Sequence, residues 1–262
     1  MAGVLPNDER VEKESLSSVD RLEQYNAWHE RLAETEKPEE VLRDPWYATV
    51  ARLLPDINGQ RVLELGCGRG SFSIWLAGQY PQALITGVDF SEAAIETAAR
   101  RASATNSTAR FKIEDAENLS FADSSYDWVI SCECMEHVPH PELMAREMGR
   151  VLRPGGQFIL TTENYFNGMI LQWLKTWATG APFDSGSGVQ PHENFFLFWR
   201  VKKILERGGL RVESMESNHY QWLLLPRTNP MKLVTFDFRS RLLKRVFRPF
   251  GRHFTFRGVR PA

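Results

Sequence analysis

The sequence is poor in cysteine. Three in 262 residues, an odd number, cannot build a disulfide framework, which excludes the small stapled folds of secreted domains and points to a reducing, cytoplasmic compartment. Long apolar runs are missing as well. The longest stretch without a charged side chain, Ser71 to Val88, is interrupted by Gly78, Gln79 and Pro81 and does not read as a membrane span. The leading residues MAGVLPNDERVEKESLSSVD carry charges of both signs where an export signal needs an apolar centre, so the expected location stays cytoplasmic. Net charge is nearly absent too: 32 Lys and Arg stand against 33 Asp and Glu, leaving −1. That balance argues against a broad polyanion-binding surface, yet it conceals an asymmetry. From Arg227 to Ala262 ten basic residues face Asp237 alone, an excess of nine, so the first 226 residues carry −10. Charge segregated in this way marks an interaction surface.

What is present is an alternation of periods. With 42% hydrophobic side chains the chain is globular, and its length suits one domain with additions. Residues 1–19 lack apolar periodicity and read as a mobile tail before a single domain over 20–262. Leu22, Tyr25, Trp28 and Leu32 recur at helical spacing, and a second helix is expected from Pro38 to Leu54, broken or kinked at Pro45; together they form a helical cap over 20–56. Strands are then expected at Arg61–Leu65, Ala83–Asp89, Arg110–Glu114, Tyr126–Cys132 and Gly156–Thr162. Helices alternate with them at Ser71–Tyr80, Ser91–Ala104 (Ser91 as N-cap) and Pro141–Leu152. Such alternation predicts an α/β, Rossmann-like, mostly parallel sheet with helices on both faces. Residues 163–194 interrupt the rhythm and read as a lid insertion. A helix from Phe195 to Arg207, a strand near Leu210 to Glu216, a basic helical insertion over 226–252 and a last strand from His253 to Val259 complete the pattern.

Between the first strand and the first sheet-covering helix stands Glu64-Leu-Gly66-Cys-Gly68-Arg-Gly70. Glycines there let a ligand approach the backbone. The spacing is G-x-G-x-G rather than the dinucleotide G-x-G-x-x-G, and Glu64 would repel a pyrophosphate while favouring a cation. Asp89 ends the second strand, where a carboxylate accepts hydrogen bonds from ribose hydroxyls. The ligand these residues describe is a positively charged nucleoside. Five segments, VLELGCGRG, GVDFS, IEDAENLSF, YDWVISCECMEHV and LRPGG, together resemble the class I S-adenosylmethionine-dependent methyltransferases over about residues 61–162. The resemblance implies a seven-stranded sheet whose last strand is antiparallel. It implies Glu64, Gly66, Cys67 and Gly68 beside the methionine portion of S-adenosylmethionine, Asp89 on the ribose and Phe90 against the adenine. Asp115 and Ala116 would read the adenine edge, and the Cys132 backbone would contact the sulfonium end.

Residues that follow the Tyr126–Cys132 strand should face the transferred methyl, since ligands of open α/β sheets sit at the strands' carboxyl ends. They read Glu133-Cys-Met-Glu136-His137. Two carboxylates and an imidazole suit a divalent ion such as Mg²⁺ or Mn²⁺; without metal, His137 suits a general base, Glu133 a solvated position and Glu136 a helix cap. The E-x-x-E-H cluster is similar to that of ubiquinone-biosynthesis O-methyltransferases, which the resemblance assigns to a metal. It also resembles small-RNA 3′-terminal 2′-O-methyltransferases, whose later histidine corresponds to His192 in PHENFF and whose TTPN-like strand end appears here as Thr161-Thr-Glu-Asn164. On that basis Glu133, Glu136, His137 and His192 are the candidate metal ligands, and His137 and His192 the candidate bases. Cys67, Cys132 and Cys134 show no zinc spacing and read as packing residues.

A hydroxyl acceptor gains most from a nearby base, so O-methyl transfer to a small molecule, in quinone-like or natural-product biosynthesis, is the leading expectation. An N-methyltransferase of a small amine, a metal-dependent RNA 2′-O-methyltransferase and a non-catalytic cofactor-binding module are the rivals. Tyr25, Trp28, Trp46 and Tyr47, with Tyr165, Phe166, Trp173, Trp177 and Phe183 of the insertion, offer an aromatic roof over an acceptor. Across 239–250 apolar and basic residues alternate at helical intervals. Such a segment suits a solvated face over the site, an anionic small substrate, or peripheral contact with an anionic membrane. RNA is disfavoured by the −10 remainder and by the lack of a recognisable RNA-binding module. Nothing in the pattern specifies an oligomer.

Overall fold

The computed structural model describes residues 18–33, 38–164, 194, 196–223, 233–236 and 240–262. Two helices precede the sheet, α1 (Ser18–Ala33) and α2 (Pro45–Leu53). Pro45 ends the preceding 3-10 turn, Pro38–Arg43, and starts α2, because its missing N–H costs nothing at a first helical position. Strands β1 (Arg61–Leu65), β2 (Leu84–Asp89), β3 (Arg110–Ile113), β4 (Tyr126–Cys132) and β5 (Leu152–Glu163) alternate with α3 (Ser71–Gln79), α4 (Glu92–Ala104) and α5 (Pro141–Val151). Helix α6 (Phe198–Arg207), β6 (Arg211–Leu223), β7 (Leu233–Phe236), α7 (Arg241–Val246) and β8 (Gly251–Val259) follow. Ser91 caps α4 as expected, its hydroxyl accepting from the Ala94 N–H.

The sheet order is β3-β2-β1-β4-β5-β8-β6-β7. Strands β1 to β5 run parallel, and β8 inserts antiparallel between β5 and β6. The expected seven-stranded sheet with a reversed last strand is therefore present. A short eighth strand, β7, extends it beyond β6 and lies inside the segment expected to be a helical insertion. That segment also holds α7, six residues long rather than a helix across 239–250. Strand β5 starts earlier than local patterning predicts, at Leu152, which pairs with Tyr126 of β4, and β6 runs further, since β8 gives it ladder partners as far as Tyr220. The expected lid, 163–194, is described only at Glu163, Asn164 and Asn194, and the expected tail only from Ser18 onward.

Period-2 alternation divides the apolar side chains between two layers. Leu63, Val129 and Phe158 pack against Met144 and Met148 of α5 and Val201 and Leu205 of α6. Their neighbours Val62, Trp128 and Ile159 pack on the other face against Phe72 and Leu76 of α3 and Val50 of α2. Each large side chain buried in this way contributes about 1.5–3 kcal/mol. The strand order reverses between β1 and β4, and in an open sheet that reversal opens a crevice at the strands' carboxyl ends. Among the described residues no helix is long and apolar enough to cross a membrane.

Candidate active site

The turn after β1 passes through Gly66, Gly68 and Gly70 at φ of 69°, 52° and 81°, a left-handed region closed to most side chains. Gly66 has a second constraint: a Cβ there would stand 2.5 Å from Cys134 Sγ. The turn is tied to the end of β2. The Cys67 N–H donates to the Val88 carbonyl (2.9 Å), and the Gly68 N–H donates to Asp89 Oδ2 (2.9 Å). The Ser91 N–H donates to Asp89 Oδ1, also at 2.9 Å. Two backbone amides thus fix a mostly buried carboxylate at the crevice.

A cavity of about 290 Å³ opens there, and Gly66, Cys67, Gly68, Asp89 and Phe90 line one side of it. Asp115, Ala116 and Cys132 line it further on, Asp115 also accepting the Glu117 N–H at Oδ1 (2.9 Å). Glu64 is the exception among the expected cofactor residues. It is fully buried and outside the cavity wall, with Ser73 Oγ donating to one carboxylate oxygen while the other, Oε1, is buried without a partner. Burial pushes its pKa up to about 8 against the pull of the Ser73 hydrogen bonds, and the charge of Asp89 adds to the rise. Trp28 Nε1, a donor of the wall, and Glu64 Oε1 behind it are buried without a partner among the described residues. The Trp28 donor fits a polar nucleoside in the cavity. Burial raises all three thiols, Cys67, Cys132 and Cys134, which keeps them protonated.

Helix α1 closes the cavity from above. Arg69 donates to His29 Nδ1 (3.0 Å), which places the ring proton on Nε2, 3.9 Å from Asp89 Oδ1. Asn26 Oδ1 accepts from Ser91 Oγ (2.7 Å), and Tyr25 OH donates to the His137 carbonyl (3.3 Å). Arg21, Tyr25, Trp28 and His29 all line the cavity. Arg21 and His29 were not expected, although their helical spacing with Tyr25 and Trp28 was visible.

At the far side stand Glu133 and His137 with Trp46 and Tyr47. Glu133 adopts a left-handed φ of 48°. Its N–H donates to the Thr161 carbonyl (3.1 Å) and Thr161 Oγ1 (3.2 Å), fixing the strand end, and its Oε2 accepts from His253 Nδ1 at 3.1 Å. The His253 ring packs on Trp46, with centroids 5.4 Å apart. Burial alone would raise the Glu133 carboxyl, but the charge and hydrogen bond of His253, with Thr161 and His137, hold it below the usual carboxylate range. Glu133 is an anion, and not the solvated one expected.

Glu136 differs. It lies buried outside the cavity wall, accepts from Thr162 Oγ1 (2.9 Å), and is pushed well above the carboxylate range by burial and by the charge of Glu133. It does not cap α5, whose N-cap is His140. Of the expected chelate, Glu133, Glu136 and His137 do not form a converging group among the described residues, and His192 lies outside them. The described trio whose ligand atoms do converge, within 4.8 Å, is Glu133, Glu163 and His253. Within it Glu163 pairs with Arg252 (3.2 Å) and His253 with Glu133, whose other oxygen, Oε1, is buried without a partner among the described residues. Glu163 and His253 meet because they are register partners of β5 and β8, a pairing no local pattern announces.

Residues 62–156 match the family model described as a methyltransferase domain. The chain is 27% identical over 218 residues to a ubiquinone biosynthesis O-methyltransferase of Coxiella burnetii, covering 82% of this chain and 89% of the relative. It is 35% identical over 116 residues to a fatty-acid O-methyltransferase of Mycolicibacterium smegmatis, 44% of this chain and 41% of the relative. Among solved structures, a chain of the complex between the Haloferax volcanii Trm112 methyltransferase activator and a methyltransferase superposes with a TM-score of 0.63 at 22% identity, covering 92% of this chain and 98% of that one. That last likeness concerns the fold alone. The strand order, the glycine turn, the anchored Asp89 and the domain matched over residues 62–156 agree, and together they support a class I S-adenosylmethionine-dependent methyltransferase.

Proposed function

We propose that the protein transfers a methyl group to a hydroxyl of an apolar small molecule, with His137 as the base. The carrying observation is that one cavity joins the glycine turn and Asp89 to an aromatic end containing His137 and an ionised Glu133. Bound S-adenosylmethionine supplies an electrophilic sulfonium methyl, which passes to the acceptor oxygen as S-adenosylhomocysteine departs. The glycine turn borders the methionine portion, Asp89 takes the ribose, and α1 lies over the site and limits the access of water. His137 takes the acceptor's proton, and the nearby Glu133 carboxylate stabilises the resulting imidazolium. His253 positions Glu133 from behind. Trp46, Tyr47, Tyr25 and Trp28 suit an aromatic or lipid-like acceptor, and the O-methyltransferase names of the two sequence relatives support a hydroxyl nucleophile.

No metal enters this reading: Glu133, Glu136 and His137 do not converge as a ligand set among the described residues, and Arg252 already pairs with Glu163. The test is methyl incorporation from labelled S-adenosylmethionine into paired phenol, carboxylic acid and amine acceptors, before and after exhaustive chelation. Hydroxylic acceptors alone should be labelled, with chelation changing the rate less than about twofold. Labelling of amines, or a rate restored only by Mg²⁺ or Mn²⁺, would overturn it.

A further inference from the structure

Large apolar side chains are exposed at scattered single positions over most of the described surface, which is ordinary. One stretch departs from that. Leu242, Leu243, Val246, Phe247 and Phe250 are 69%, 41%, 60%, 38% and 43% exposed, five within nine residues of α7 and the 3-10 turn after it. Leu242, Leu243 and Val246 lie on α7, and Phe247 and Phe250 carry the apolar surface on into the turn after it, their ring centroids 6.4 Å apart. In sequence the same stretch carries Arg241, Lys244, Arg245 and Arg248, the densest part of a segment with an excess of nine positive charges.

We propose that this face docks the enzyme peripherally on an anionic lipid bilayer. Apolar side chains that enter the headgroup boundary, flanked by cations that meet lipid phosphates, are the two requirements of interfacial binding. Charge complementarity selects the bilayer over a second copy of the chain, because a two-fold contact through this face would bring two basic segments together. Position supports the choice. The Asn164 side chain, just past β5, donates to the Pro249 and Gly251 carbonyls at 2.7 Å each, which pins the face to the rim of the sheet. Two residues further, His253 holds Glu133 in the cavity wall. A docked face therefore sets the acceptor end of the cavity beside the membrane, where an apolar acceptor dissolves. This location of the acceptor rests on the methyl-transfer reading, whereas the docking itself does not.

The test is co-sedimentation of the full chain with vesicles of phosphatidylcholine, with and without phosphatidylglycerol, which needs no turnover. The wild-type chain should sediment with the anionic vesicles and not the neutral ones, and added salt should weaken binding. Leu242→Ser, Val246→Ser and Phe250→Ser combined should reduce that binding at least about tenfold while cofactor affinity and thermal midpoint stay at wild-type values. The double reversal Lys244→Glu and Arg245→Glu gives an independent reading should the triple variant not fold. Wild-type indifference to anionic vesicles, or undiminished binding by both variants, would overturn the proposal. So would a wild-type dimer that the triple variant converts to a monomer, since the face would then be a subunit interface.

Discussion

At the β1–β2 end of the cavity, Asp89 is fixed by backbone amides 21 residues before it and two after it, whereas at the β4–β5 end Glu133 is fixed by His253, 120 residues away. The first arrangement depends on one tight turn and two adjacent strands. The second depends on β8 returning to pair antiparallel with β5. Shared chemistry, the binding of one cofactor, is thus encoded locally, and the chemistry that distinguishes one acceptor from another is encoded by long-range pairing. An enzyme built this way can change acceptor by changing distant segments while its cofactor turn stays intact.

The largest effect should separate the two ends. His137→Gln removes the proposed base and is expected to lower kcat about a hundredfold or more, leaving the affinity for S-adenosylhomocysteine in calorimetry unchanged. An equal fall in cofactor affinity would mean that the two ends are not separable. Asp89→Ala should do the reverse, weakening cofactor binding by about 1.5–3 kcal/mol, tenfold to about a hundredfold. Unchanged affinity in the same calorimetric titration would remove Asp89 from the cofactor site.

The same contrast explains which parts of the molecule were legible in the sequence. The glycine spacing, the strand-end carboxylate and the helix caps are local, so the sheet core and the residues from Gly66 to Ala116 could be placed from pattern alone. Glu136 could not, because a carboxylate three residues after Glu133 looks like a chelating partner until the 3-10 turn Met135–His137 buries it against Thr162 of β5. His253 carried no signal beyond starting an expected strand; its partner lies on another strand and its ring rests on Trp46 from the α2 helix. The eighth strand was hidden for a related reason. Leu233–Phe236 is only four residues long and is specified by its ladder with β6 rather than by its own period.

Glu64 provides the next, smaller test, of whether the cofactor end responds to charge. Its pKa near 8 exceeds the unfolded value near 4.5. Stability from its neutral form is therefore complete below pH 4.5 and lost as pH rises towards 8. Glu64→Gln, which keeps the Ser73 contact and cannot ionise, should be the more heat-stable protein at pH 8 and about equal to wild type at pH 5. A cationic cofactor should also draw a proton off Glu64 on binding at neutral pH. Binding enthalpies measured in two buffers of different ionisation enthalpy should then diverge for wild type and converge for the variant. Buffer-independent enthalpies in the wild type would show that the carboxyl does not respond to the cofactor.

The smallest effect concerns the support of the acceptor end. His253→Phe fills the space over Trp46 but removes the donor to Glu133, leaving a buried carboxylate short of a hydrogen bond at a cost of about 1–3 kcal/mol. Glu133 has a lowered pKa, so the stability it contributes is present above the usual carboxylate range and lost as pH falls through its folded value. Removing His253 raises that folded value, because burial then acts with less opposition. The acid limb of the pH–rate profile should accordingly move to higher pH in His253→Phe, with kcat at alkaline pH changed only a few-fold. His253→Asn, whose amide nitrogen can take the place of Nδ1, should restore the wild-type limb. A profile that stays in place in the phenylalanine variant while its thermal midpoint falls would make His253 a packing residue, and Glu133 would then be an anion for reasons local to its own strand.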